Sequence, residues 1–137
     1  EVSACPVGSG MCIRDRLVAI SVLTSLSRED LVSIGIEFSV EAEVARLATL
    51  SVDAGADGVV CSPQEASAMR KSLGPSGLVV TPGIRPTGSA FEDQQRVSTP
   101  SHALAAGASK LVIGRPITHA QDPVAAFDAI VQELMRP

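Results

Sequence analysis

Tryptophan and tyrosine are absent from this 137-residue sequence, and only three phenylalanines occur. An apolar interior must therefore be built from Val, Ile, Leu and Ala, within a hydrophobic content of 45%. Aliphatic strands of this kind suit a parallel α/β sheet. Histidine is scarce, with His102 and His119 alone, and Cys5, Cys12 and Cys61 lack metal-ligand spacing. No metal site is expected, and an odd set of thiols reads as reduced cysteine in a cytoplasmic protein. The formal net charge of -4 gives no basic footprint for nucleic acid. No apolar run approaches the roughly 20 residues of a membrane span. The length allows one domain at most.

From residue 17 onward, short aliphatic runs alternate with amphipathic stretches. Leu17–Leu23 reads as a buried strand, followed by a short helix opened by the capping-box spacing of Ser27 and Asp30. Ser39 can cap a longer helix with Val40, Val44, Leu47 and Ala48 on one face, and Gly55 suits its exit. Gly58–Cys61 is a second strand, and Ser62-Pro63-Gln64-Glu65 has the form of a helix start. That helix should end near Leu73-Gly74. Leu78–Val80 is a third strand, Thr99-Pro100 caps a further helix ending at Gly107, and Lys110–Ile113 is a fourth strand. Asp122-Pro123 opens a last helix with an apolar stripe of Val124, Phe127, Ile130, Val131 and Leu134. Four strand–helix units predict a parallel sheet with right-handed crossovers. Periodicity alone leaves open a small doubly wound sheet or half of an eight-stranded barrel.

Residues 1–16 depart from this pattern, with neither helical nor strand periodicity and no secretory apolar stretch. They resemble translated sequencing-adapter segments, and are expected to be foreign to the fold or a disordered arm. The folded unit is expected to be 17–137.

Ligands of parallel α/β folds gather at the C-terminal ends of the strands. Two loops there are unusual. One holds Pro82-Gly83-Ile84-Arg85 and a polar run to Asp93-Gln94-Gln95-Arg96; the other is Gly114-Arg115-Pro116. Glycine lets an anion approach the backbone closely, and arginine offers a planar fork to phosphate oxygens. Two such loops on the last two strands of a barrel would make a phosphate site; the alternative is that Gly83 and Gly114 are turn residues and both arginines are solvated. Neither histidine has a catalytic partner in sequence, and Cys61 has no paired base.

The segments Val80-Thr-Pro-Gly-Ile-Arg-Pro86, Asp93-Gln-Gln-Arg96, Thr99-Pro100 and Leu111-Val-Ile-Gly-Arg-Pro-Ile-Thr118 resemble, in order and spacing, the C-terminal motifs of the orotidine 5'-monophosphate decarboxylases. Leu23-Thr24-Ser25 and Gly58-Val-Val-Cys-Ser62 resemble that family's fifth-strand loop and sixth strand. The resemblance covers essentially all of 17–137. It implies the C-terminal half of a (β/α)8 TIM barrel, about four β-α units, from a homodimeric enzyme that makes UMP and carbon dioxide without a cofactor. It also implies that Arg85 and Arg115 hold the phosphate beside the Gly114 N–H. Gln94 would bridge phosphate and pyrimidine, Thr24 would contact the nucleotide from the opposite side, and Pro82 would pack near the base.

One motif of that family is missing. Its D-x-K-x-x-D segment, which supplies the proton-donating lysine, has no counterpart around Lys71 or Lys110, the only lysines. No catalytic residue is therefore assigned, and the chain by itself is expected to be inactive. A second reading is a non-catalytic phosphate- or nucleotide-binding half barrel that assembles with itself or another chain. A third is a related phosphosugar enzyme such as a hexulose-phosphate synthase; Gln94, able to reach a base, argues for a nucleotide.

Overall fold

The computed structural model describes residues 16–86 and 98–135. The segment 1–16, expected to be foreign, therefore lies outside the described residues except for Arg16, as does Gln94. Four strands, β1 (Val18–Ile20), β2 (Gly58–Val60), β3 (Leu78–Thr81) and β4 (Lys110–Leu111), form one sheet in the order β1-β2-β3-β4. Every pairing is parallel. A doubly wound sheet reverses its strand order at a switch point. This one runs on in a single direction, as a barrel segment does.

The helices follow their local signals closely. In α1 (Arg28–Ser33), the Ser27 hydroxyl accepts from the Asp30 N–H while the Asp30 carboxylate accepts from the Ser27 N–H, closing the capping box. Ser39 caps α2 (Val40–Asp53), and Thr99 caps α4 (Pro100–Ala105). Asp122 accepts from the N–H groups of Val124 and Ala125 at the start of α6 (Pro123–Met135). Each satisfies backbone donors that a helix start would otherwise leave unpaired.

The third helix differs from expectation. α3 begins only at Ala66 and runs to Leu73, and no side chain caps it. The Ser62 hydroxyl donates instead to the buried Glu65 carboxylate, so residues 63–65 form a turn ahead of the helix. A short helix, α5 (Arg115–Thr118), was not anticipated. The strands are also shorter than the aliphatic runs: Leu17 and Val22 lie outside β1, and Val112 and Ile113 outside β4.

The core lies between the sheet and the helices on one side of it. Val44 and Ala48 of α2, Ala66 and Met69 of α3, and Val59 and Val79 of the strands form one buried cluster. Partners across parallel strands share a face, so the register places Ile20, Val60 and Val80 in a row on the opposite side. There Ile20 is 64% exposed. α2, α3 and α4 each pack on the strand that follows them in sequence. α6 instead packs on α4 and α5, and Val124 and Phe127 of its predicted stripe are exposed while Ile130 is buried.

Glu43 is 1% exposed on α2 and is held by a bidentate pair with Arg46, at 2.7 and 2.8 Å. The Arg46 hydrogen bonds hold its carboxyl below the ordinary value near 4.5, against the opposing effect of burial. A carboxyl with a lowered folded-state pKa contributes stability that is complete above the unfolded value and is lost as pH falls through the folded one. Thermal melts of wild type and Glu43→Gln are therefore expected to differ most at neutral pH and to converge below the ordinary carboxylate range. A difference that persists undiminished at low pH would remove this pair as its source.

Candidate functional site

Because all four strands are parallel, the segments leaving β1, β2 and β3 emerge at the same end of the sheet. A cavity of about 320 Å³ opens there, lined by Val22, Leu23, Thr24, Val60, Cys61 and Pro82 among others. Thr24 is 7% exposed, and with Ser25 it brings hydroxyls to a largely aliphatic wall. The structure thus unites Thr24 and Pro82, two residues that the sequence separates by more than two whole strand–helix units.

Neither Arg85 nor Arg115 lines this cavity. Thr81 and Leu111 are register partners at the ends of β3 and β4, and Val112 N–H donates to Thr81 O at 2.9 Å. Arg85 and Arg115 each lie four residues further on, counting 81 to 85 and 111 to 115. Adjacent parallel strands in register therefore deliver both to the same end of the sheet.

The backbone around Arg85 is fixed. Gly83 has φ 76, a conformation that L side chains rarely adopt, and it turns the chain sharply after Pro82. Arg85 N–H donates to Ser98 O at 2.9 Å, and Ser98 N–H donates to Gly83 O at 3.2 Å. These two bonds tie the strand end to Ser98, the residue before the N-cap of α4. The Arg85 side chain is 7% exposed; its Nη1 donates to Ile84 O at 3.0 Å. Its Nη2 is buried with no hydrogen-bond partner, and no described carboxylate pairs with the guanidinium. A charge removed from water without a counter-charge is costly. Such a group creates a local demand for an anion.

Gly114 caps α5, its carbonyl accepting from the N–H groups of Ile117 and Thr118 at 2.8 and 3.0 Å. A Cβ added at Gly114 would meet nothing within 4 Å, so the approach to its backbone is open. Arg115 is half-buried as the first residue of α5. Sequence reasoning passed over two features of this end of the sheet. One is α5 itself; the other is Thr81, fully buried with its hydroxyl unpartnered. Thr81 looked like a strand-end residue and carried no signal beyond its place before Pro82.

Among the described residues, no group of His, Cys, Asp and Glu could hold a metal ion, and no helix is long and apolar enough to cross a membrane.

Comparison with known proteins assigns residues 6–130 to the family described as "Orotidine 5'-phosphate decarboxylase / HUMPS family". The orotidine 5'-phosphate decarboxylase of Moorella thermoacetica is 57% identical over 119 residues, covering 86% of this chain and 47% of that protein. That of Chromohalobacter salexigens is 50% identical over 121 residues, covering 88% of this chain and 51% of its own. Among solved structures, orotidine 5'-phosphate decarboxylase from Lactobacillus acidophilus superposes with a TM-score of 0.73 at 38% identity, over 88% of this chain and 50% of that one. The chain spans about half the length of the curated relatives it matches.

Proposed function

The chain belongs to the orotidine 5'-phosphate decarboxylase / HUMPS family, and from that membership we propose that it is the phosphate-gripping half of an enzyme converting orotidine 5'-phosphate to UMP and carbon dioxide without a cofactor. Residues 17–137 are the working unit of this reading, and 1–16 stand outside it. The observation that carries it is buried Arg85 with an unpartnered Nη2, matched by Arg115 at the same four-residue distance beyond the neighbouring strand. Loops after the last two strands of a barrel, together with a short extra helix, commonly build a phosphate site. β3, β4 and α5 supply those parts.

In this assignment Arg85 and Arg115 grip the phosphate, with the Gly114 N–H beside them. Thr24 and Pro82 border the cavity that takes the nucleoside, and Gln94 bridges phosphate and base. Phosphate binding at a distance from the reacting carbon can help drive closure over the substrate and so assist the chemistry. The whole enzyme is proposed to act in the cytoplasm as a homodimer.

Exposed Ile20, at the head of the Ile20–Val60–Val80 row, and the exposed part of the α6 stripe favour a second reading, in which the chain is a binding half barrel that assembles with itself or another chain. Calorimetric titration with UMP, uridine and ribose 5-phosphate tests the site. UMP is expected to bind most tightly, ribose 5-phosphate more weakly and uridine least. Equal affinity for uridine and UMP would remove the phosphate from recognition. A preference for ribose 5-phosphate would make the site one for sugar phosphates.

A further inference from the structure

Arg70 lies near the end of α3, at the opposite end of the sheet from the two arginine loops. Its guanidinium has no carboxylate partner among the described residues and is saturated by backbone instead. Nε donates to Gly107 O at 3.0 Å. Nη1 donates to the carbonyls of Gly74 and Gly77, both at 2.7 Å, and to Pro75 O at 3.3 Å. Nη2 donates to the Ser109 hydroxyl oxygen. One side chain thus gathers the turn that enters β3 and the turn that enters β4.

Ser109 carries the connection into the sheet. Its Oγ accepts from Val79 N–H at 3.1 Å, and its own N–H donates to Val79 O at 2.7 Å. Both backbone groups of Val79 are therefore bound to a single residue of the neighbouring segment. Two of the carbonyls that accept from Arg70 belong to crowded glycines. A Cβ on Gly107, whose φ is +107, would lie 2.8 Å from Arg70 Cβ; one on Gly77 would lie 2.5 Å from Leu73 Cβ. Both turns are shaped to let their carbonyls reach the guanidinium.

From this anchor the ladder continues through Val80 with Lys110 and Thr81 with Leu111, and each arginine of the proposed phosphate site follows four residues later. A slip of one residue would turn the β4 side chains to the opposite face. It would also carry Arg115 out of step with Arg85.

We infer that Arg70 is a positioning residue, fixing the register of β3 against β4 from the far end and with it the spacing of Arg85 and Arg115. This deepens the proposed function and rests on the two arginines gripping one phosphate. The register role itself can be read without any ligand. Residue-resolved amide hydrogen exchange would be measured on the full chain as wild type, Arg70→Ala, Arg70→Lys and Ser109→Ala. Arg70→Ala is expected to speed exchange of Val112 N–H, which crosses from β4 to β3, by about tenfold or more. Ser21 N–H, bonded to Val60 O across β1 and β2, should keep its wild-type rate. Lysine, with the charge but no fork, should restore protection only in part. If Arg70→Ala does not fold, Ser109→Ala is expected to give the same local pattern. Equal acceleration at Val112 and Ser21, or none at either, would overturn the inference. Absence of UMP binding by wild type would instead defeat the phosphate reading, and the exchange pattern would still decide the role of Arg70.

Discussion

Arg85→Met is expected to lower the affinity of the chain for UMP by about 10- to 100-fold, the usual worth of charged hydrogen bonds, while its ligand-free melting temperature holds or rises. The two effects have one cause. In the folded chain Arg85 is 7% exposed and leaves a buried Nη2 without a partner. Without an anion, that is a desolvated charge with no described carboxylate to offset it, and an apolar side chain of similar reach should remove the penalty. With a phosphate present, the same group would supply a forked, charge-assisted contact that methionine cannot make. Stability and binding should therefore move in opposite directions, as at sites shaped for function at the expense of the fold. A residue needed only for packing would lose both together. Arg115→Ala should weaken UMP binding to a similar degree and leave uridine binding unchanged. Unaltered UMP affinity in either variant would take that arginine out of the site.

How far the sequence announced this structure depended on the range of the forces involved. The caps at Ser27, Ser39, Thr99 and Asp122 were legible because each acts on donors two or three residues away. Ser62 was misread for the same reason in reverse: its hydroxyl found the Glu65 carboxylate, a competitor equally near in sequence. α5 has only four residues and opens on a glycine without a side-chain cap, so no local pattern marked it. The amphipathic stripe of α6 was visible, but whether it is buried depends on what lies beside it, and part of it is exposed. Periodicity could not separate a doubly wound sheet from a barrel segment, since both repeat the same units; the strand order decides it.

The candidate site was legible to the extent that its chemistry sits in continuous segments. Gly83 with Arg85, and Gly114 with Arg115, drew notice as glycine–arginine pairs at strand ends. That Arg85 is buried with no described carboxylate paired to it could not be read, because burial depends on segments distant in sequence such as Ser98, which bridges Ile84. The long-range part of the scaffold was equally hidden. Arg70 looked like an ordinary basic residue near a helix end, yet it binds Gly107 and Ser109, 37 and 39 residues away.

Purified and saturated with orotidine 5'-phosphate, the 137-residue chain is expected to release no carbon dioxide above the uncatalysed background. Loss of carbon dioxide from the carboxylate leaves the bonding electron pair, and so negative charge, on the ring carbon, and catalysis needs a positive group beside it and a proton to deliver. Each of these contributions is typically worth about 100-fold or more. Neither lysine can supply them. Lys71 is exposed in the last turn of α3, and Lys110 is exposed at the start of β4, before the strand reaches the loops of the site. Neither carries the acidic flanks of the D-x-K-x-x-D pattern. The histidines offer no substitute, since His119 is exposed beyond α5 and His102 Nδ1 is engaged with the Ser98 hydroxyl at 2.8 Å. The decisive measurement is carbon dioxide release by chain already shown to bind UMP, so that an unfolded sample is not mistaken for an inactive one. Adding a separate polypeptide with the four missing units and their lysine should then raise the rate, and Arg85→Met should suppress that gain. Release by the unsupplemented chain that disappears in Arg85→Met would mean that the phosphate loops work with a proton donor of their own.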